Sequence, residues 1–397
     1  MAQSPGSRGC PLAGRAKPRP DRRPVPLSND SQPSDRHFVG PPPLNFHELM
    51  DDCRGPLHRR LSELLAVEQL CRQAGPLLKS RCEAVIDVDN FRLPIVSLTL
   101  GDPQRARSCL LLTGGVHGVE RIGSQVLIAW LESALERCRW DTHWRQQFDE
   151  DIAIIAVPIV NPAGMLRDAR CNANAVDLNR HAPIDAEDRV PFLVGGQRLS
   201  RHLPWYRGRW EKQVEPEFQV LSDIIDRHSR GSDRMMMAID FHSGFGFRDH
   251  IWIPHAYRKQ PIDDIGSYMS LKLLWERNFP HHNYVFGPQA MHYLSHGDMW
   301  DYFYLRCRDR GCRLLPLTLE MGSWLWVKKH PRQLFSFAGL FNPTVPHRHA
   351  RVLRGHLLLI DFLLAACRNS AEWLTHGEQD RQMQQIAQTL WYQHLND

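Results

Sequence analysis

The chain has little that would hold it in a membrane or tie its segments together covalently. The best candidate for a bilayer span, "LLLIDFLLAA" at 357–366, covers half the needed length and is broken by Asp361. It therefore reads as a buried helix. The ten cysteines follow no repeating interval, and no Cys-x-x-Cys pair occurs. "CRDRGC" (Cys307, Cys312) lacks the spacing of a zinc ribbon. A continuous apolar leader is missing from the first residues, so reduced thiols and a cytoplasmic location are expected. There is no internal repeat. A strong charge bias is also absent from most of the chain. Residues 1–36 hold seven Lys and Arg against three Asp, which accounts for four of the net +5. The rest is nearly neutral, so the basic balance says little about what the folded part binds; no nucleic-acid partner is expected, and, for want of a spanning segment, no membrane partner.

What is present reads as a soluble α/β protein with 42% hydrophobic and 23% charged residues. Residues 1–43, rich in Pro and Arg, are expected to form a disordered tail, and 44–397 a single catalytic domain. Its core is expected over about 85–368, with C-terminal helices over 369–397. "AVIDVDNFRLPIVSLTLGDP" predicts two strands joined by a polar turn. The runs "SCLLLTGG", "DIAIIAVPIV", "RMMMAIDFHSG", "HIWIPHA" and "RLLPLTLEMGS" predict further strands. "VERIGSQVLIAWLESALERC" and "EPEFQVLSDIIDRHS" show helical periodicity between them. This alternation predicts one central mixed, mostly parallel β-sheet flanked by helices.

Polar residues cluster where these strands end. "TGGVHGVE" follows "CLLL" and sets His117 and Glu120 three residues apart in a glycine-rich turn. His242 ends "MMMAIDFH", with Asp240 two residues before it. Ligands of open α/β sheets bind beyond the carboxyl ends of strands. Two histidines and a glutamate form a three-ligand set for catalytic zinc, with water in the fourth position. Glu320 closes the apolar run "LLPLTLE", where a carboxylate could serve as general base. The loop 160–180 supplies Arg167, Arg170, Asp177, Asn179 and Arg180. Arginines there suit an anionic substrate end and an oxyanion. Of these, Arg167 reads as ion-paired or solvated. The pair His292 and His296 lacks the Glu insert of a zincin.

The set "HGVE", "NPAG", "R-x-N-A-x-x-V-D-L-N-R", "EPE", "D-F-H-S-G" and "T-L-E", in that order over roughly 85–325, resembles the zinc metallocarboxypeptidase family of the carboxypeptidase A type. The resemblance implies a zinc-carboxypeptidase-like, phosphorylase/hydrolase-like fold. It implies one Zn2+ on His117, Glu120 and His242, with Glu320 as base and Arg170 polarising the scissile carbonyl. Asn179 and Arg180 would grip a terminal carboxylate. "YLSHGDMWDYFY" resembles the family's mobile-tyrosine loop, which makes Tyr293 the tyrosine over the substrate and sets Trp300 near the specificity pocket. "NRHAP" stands where the family has "NRN-aromatic", and Ala175 where it commonly has Gly. These departures bear on substrate class. The function expected is a zinc metallopeptidase cleaving an amide bond next to a free carboxylate. The alternatives are an N-acyl amino acid deacylase of the succinylglutamate desuccinylase/aspartoacylase type and a catalytically silent metal-containing binding protein. The substrate is accordingly a peptide or an N-acyl amino acid.

Overall fold

The buried runs become the middle of one eight-stranded sheet. The computed structural model describes Phe46, Met50 and residues 60–229, 231 and 234–393, so the expected tail over 1–43 lies outside the described residues. The strands are β1 (Leu78–Val88), β2 (Phe91–Leu100), β3 (Ser108–Gly114), β4 (Ile152–Val157), β5 (Met235–Ser243), β6 (His250–Ile253), β7 (Val285–Pro288) and β8 (Arg313–Met321). They lie in the order β1-β2-β4-β3-β5-β8-β6-β7. The four central strands β4, β3, β5 and β8 are mutually parallel. Antiparallel pairs join β2 to β4 and β6 to β8. Every residue of β3, β4 and β5 is buried, which explains why those strands read as continuous apolar runs.

From β3 the chain steps outward to β4, then crosses back to β5 on the other side of β3. This reversal opens a crevice at the carboxyl ends of β3 and β5, the place where such sheets bind ligands. The sheet begins at Leu78, seven residues before the expected boundary of the core. Helices flank it. The Arg121–Trp140 and Pro346–Arg368 helices pack on β3 and β5 and on each other. Trp130 Nε1 donates to Asp361 Oδ1 across 2.8 Å. The polar break in "LLLIDFLLAA" is thus the acceptor that joins these two helices.

Two glycines let backbone approach backbone beside the crevice. A Cβ on Gly118 would lie 2.0 Å from the backbone of Gly164 and Met165. One on Gly123 would lie 2.3 Å from the carbonyl oxygen of Phe241. The His117–Glu120 turn therefore sits directly on the Gly164–Met165 backbone, and the first turn of the following helix on Phe241, the residue before His242. Among the described residues, no helix is long and apolar enough to cross a membrane.

Candidate metal centre

The turn after β3 is held from three sides. Val119 N donates to Ala169 O at 2.9 Å, and Asn161 Nδ2 donates to Val116 O at 3.2 Å. Asn342 accepts from Ile122 N at 3.0 Å and donates to Val119 O at 2.7 Å, covering the start of the next helix. His117 and Glu120 are both buried, and His242 reaches them from β5. The two imidazole rings lie 4.9 Å apart, and one ligand atom from each of the three residues falls within 4.8 Å of the others. His242 Nδ1 is 3.0 Å from Glu120 Oε2.

The donor set fits a divalent cation of the zinc type. Zinc takes imidazole nitrogen and carboxylate oxygen at about 2.0–2.2 Å, so ligand atoms must crowd together as these do. His117 Nδ1 is buried without a hydrogen-bond partner, an arrangement a cation relieves. His242 presents its other nitrogen, Nε2, to Asp240 Oδ2 at 2.7 Å. Asp240 also accepts from Thr113 Oγ1 at 2.8 Å and Trp300 Nε1 at 2.9 Å. A carboxylate behind a ligating histidine fixes its tautomer and orientation. Burial works against charge on either imidazole. At His117 it prevails, aided by Arg170, and the proton affinity falls well below the usual range. At His242 the carboxylates of Asp240 and Glu120 outweigh it and raise the proton affinity.

Glu320 stands beside His242 as its register partner across the parallel β5–β8 pair. Its Oε2 is buried without a partner. Burial first, then the nearby Glu120, pushes its carboxyl up to about 8, against the pull of His242 and Arg170. Arg170 donates to Asp177 Oδ2 at 2.8 Å and to Glu120 Oε1 at 3.2 Å. Burial would weaken this guanidinium, but Asp177 and Glu120 more than offset it. Asn179 Nδ2 lies 3.4 Å from His242 Nε2. Arg180 is buried; its Nε donates to Val194 O at 3.1 Å and its Nη1 to Asn179 O at 2.9 Å. The Tyr293 ring lies 5.8 Å from the Arg180 guanidinium carbon. Every residue singled out for the site therefore falls in one neighbourhood.

Other assignments come out differently. Trp300 is buried and donates to Asp240, the carboxylate behind His242, a contact the resemblance did not indicate. Arg167 pairs with Asp89 at 2.8 Å, as its ion-paired reading has it. His296 accepts from Ala186 N at 2.9 Å in a loop, away from any described metal-binding cluster. Asp177 pairs with Arg170 rather than with Arg180, accepts from Asn179 N at 3.1 Å, and comes within 3.9 Å of His117 Nδ1. Its role as the hub of the arginine loop has no signal in the sequence beyond its presence in "VDLNR". Ala175 has φ +63, a left-handed conformation that suits glycine, which explains why glycine is common there.

The "EPE" stretch braces this loop. Asn172 Nδ2 donates to Glu215 Oε2 at 2.7 Å and to Glu217 Oε2 at 3.0 Å, and Asn174 Nδ2 donates to Glu215 Oε2 at 2.7 Å. Burial pushes the Glu217 carboxyl up to about 7. The folded chain thus keeps a proton that the unfolded chain releases near 4.5. Stability must fall as pH rises through that window. Glu217→Gln removes the liability while keeping an acceptor for Asn172. It should stabilise the protein at pH 8 by an amount on the order of 3 kcal/mol and much less at pH 5. Thermal melting of both proteins across this range checks it; parallel curves would show that Glu217 is ionised throughout.

Comparison with known proteins agrees with this geometry. A sequence profile described as zinc carboxypeptidase matches residues 92–324. The chain belongs to the zinc carboxypeptidase family. The human carboxypeptidase N catalytic chain is 30% identical over 120 residues, covering 27% of this chain and 26% of that one. The chain therefore spans about a quarter of the length of that relative. The crystal structure of thrombin activatable fibrinolysis inhibitor (TAFI) has the same fold, with a TM-score of 0.57 at 17% identity over 76% of this chain and 72% of that one.

Proposed function

We propose that the chain is a zinc-dependent hydrolase that cleaves the amide bond beside a free carboxylate at the end of a peptide. Arg180 carries this reading. It is buried and makes no ion pair with any described carboxylate, whereas its neighbour Arg170 makes two. Asp298 lies near enough to feel its charge but not to pair with it, so the buried guanidinium lacks a direct partner, and an anionic substrate end supplies one. The planar fork suits a carboxylate held in two parallel hydrogen bonds.

His117, Glu120 and His242 would hold the cation. When bound, it polarises the carbonyl and acidifies water. Glu320 takes a proton from the attacking water and hands it to the departing nitrogen. Arg170, held by Asp177 and aimed past Glu120, offers N–H groups to the oxygen on which charge develops. Asn179 and Arg180 grip the terminal carboxylate, with the Tyr293 ring against the Arg180 guanidinium.

The test is a comparison of peptides with a free C-terminus against the same peptides amidated, using protein loaded with one equivalent of zinc. Free peptides should be cleaved at least roughly a hundredfold faster, because amidation leaves Arg180 buried and unanswered. Arg180→Met should erase most of that preference. Equal cleavage of amidated peptides would overturn the reading. Turnover confined to N-acyl-aspartate or N-succinyl-glutamate would replace it with the deacylase.

A further inference from the structure

The 39 residues from Gly322 to Ile360 contain no Asp or Glu, yet they hold Lys328, Lys329, Arg332, Arg348, Arg351 and Arg354. None of these six makes an ion pair with a described carboxylate. The same stretch exposes apolar side chains. Phe335 is 93% exposed, and Leu334, Phe337 and Trp324 are more than half exposed. Water-facing aromatics gathered on one segment, interleaved with unpaired cations, are unusual on a surface that meets only solvent.

The short Ser323–Lys329 helix separates two cavities. One, of about 500 Å³, is apolar and lined by Gly244, Phe247, Trp324, Val327, Leu334 and Phe341. The other, of about 590 Å³, is basic, with Lys329, Arg348, Arg351 and His347 around Trp326 and Tyr284. Asp249 is its one carboxylate, and it accepts from Gly322 N at 2.8 Å. Arg348 covers the carbonyls of Trp326 and Lys329 at the end of that helix, which leaves Lys329 and Arg351 as the free cations of the rim. Phe247 packs edge-on against Trp324 at 6.0 Å and lies under Lys328 at 5.9 Å.

We propose that this face docks on an anionic lipid surface. The Leu334–Phe337 tip enters the boundary between headgroups and acyl chains, and the surrounding lysines and arginines meet lipid phosphates. Apolar insertion combined with cations is the pairing that reversible membrane binding requires, since either alone is weak. Nucleic acid would use the cations but leave the exposed phenylalanines unsatisfied. The expectation of no membrane partner rested on the lack of a spanning segment, and a peripheral face needs none. The inference does not depend on the hydrolase reading. It does bear on it, because β8 runs from Glu320 into this face within two residues.

The experiment is co-sedimentation of the full chain with vesicles of phosphatidylglycerol in phosphatidylcholine, and with pure phosphatidylcholine, at low and high salt. Binding should favour the anionic vesicles and weaken with salt. Phe335→Ser with Phe337→Ser should weaken it by roughly tenfold or more. Lys329→Glu and Arg351→Glu should each weaken it by about fivefold or more. All of these side chains are at the surface, so unchanged thermal melting is expected and shows that the fold is intact. The proposal is overturned if neutral vesicles bind as well, if no vesicles bind, or if the serine variants bind unchanged. Duplex DNA binding as tightly as the anionic vesicles would also overturn it.

Discussion

Replacing Glu320 with glutamine should lower turnover on a free-carboxylate peptide by roughly 10²–10⁴-fold while zinc still binds one per chain. The amide keeps the shape and the hydrogen-bonding reach of the carboxylate but cannot accept a proton. Glu320 is well placed to show this separation. It sits on β8 beside His242, yet it is not one of the three residues that can share a cation. Its buried Oε2 lacks a partner, so no structural bond is lost on substitution. Steady-state kinetics and elemental analysis on the same preparation are the measurement. A glutamine variant working within a factor of about five of the parent would remove Glu320 from the chemistry.

The second large effect is loss of the cation. His242→Ala removes one of three ligands from a buried centre and should abolish stoichiometric zinc and, with it, hydrolysis. Asp240→Asn should act more gently. It leaves the ligands in place but withdraws the negative charge behind His242, and should weaken zinc by about 10–100-fold in a competitive chelator titration. Chelation of the parent should also lower its melting temperature, because a ligand that binds only the folded chain stabilises it. Zinc binding unchanged by His242→Ala would show that the three side chains are not the metal site.

Much of the fold could be read from the sequence because the central strands are buried on both faces and keep long apolar runs. β7 could not. Val285–Pro288 has four residues, two of them Gly and Pro, at the sheet edge, too short for alternation to be counted. The Ile265–Asn278 helix buries Tyr268, Met269, Leu271 and Trp275, but its polar and apolar residues are mixed around its circumference, so no stripe stands out. The Met299–Asp309 helix carried a readable start. Asp298 accepts from Trp300 N at 2.9 Å and Asp301 N at 3.2 Å, as an N-cap does, but the same stretch resembles a tyrosine loop, which masks the helix start. At the site, the positions after β3, on β5 and on β8 were legible because charge follows apolar runs there. The contacts of Trp300 with Asp240 and of Asp177 with Arg170 were not. Each depends on how the folded chain brings side chains together, and for Trp300 and Asp240 a helix start meets a strand across 60 residues of chain.

The pairing of His242 with Glu320 across neighbouring strands divides the labour within the molecule. His242 and Glu320 are fixed in the hydrogen-bonded ladder of the sheet, while His117 and Glu120 meet them from the turn after β3. On the reading proposed above, the groups that would recognise the substrate, Asn179 and Arg180, ride on irregular segments stitched together by carbonyls and amides. On that reading, swapping those segments for others would change the target while the metal ligands stay in place, and selection would have the same freedom.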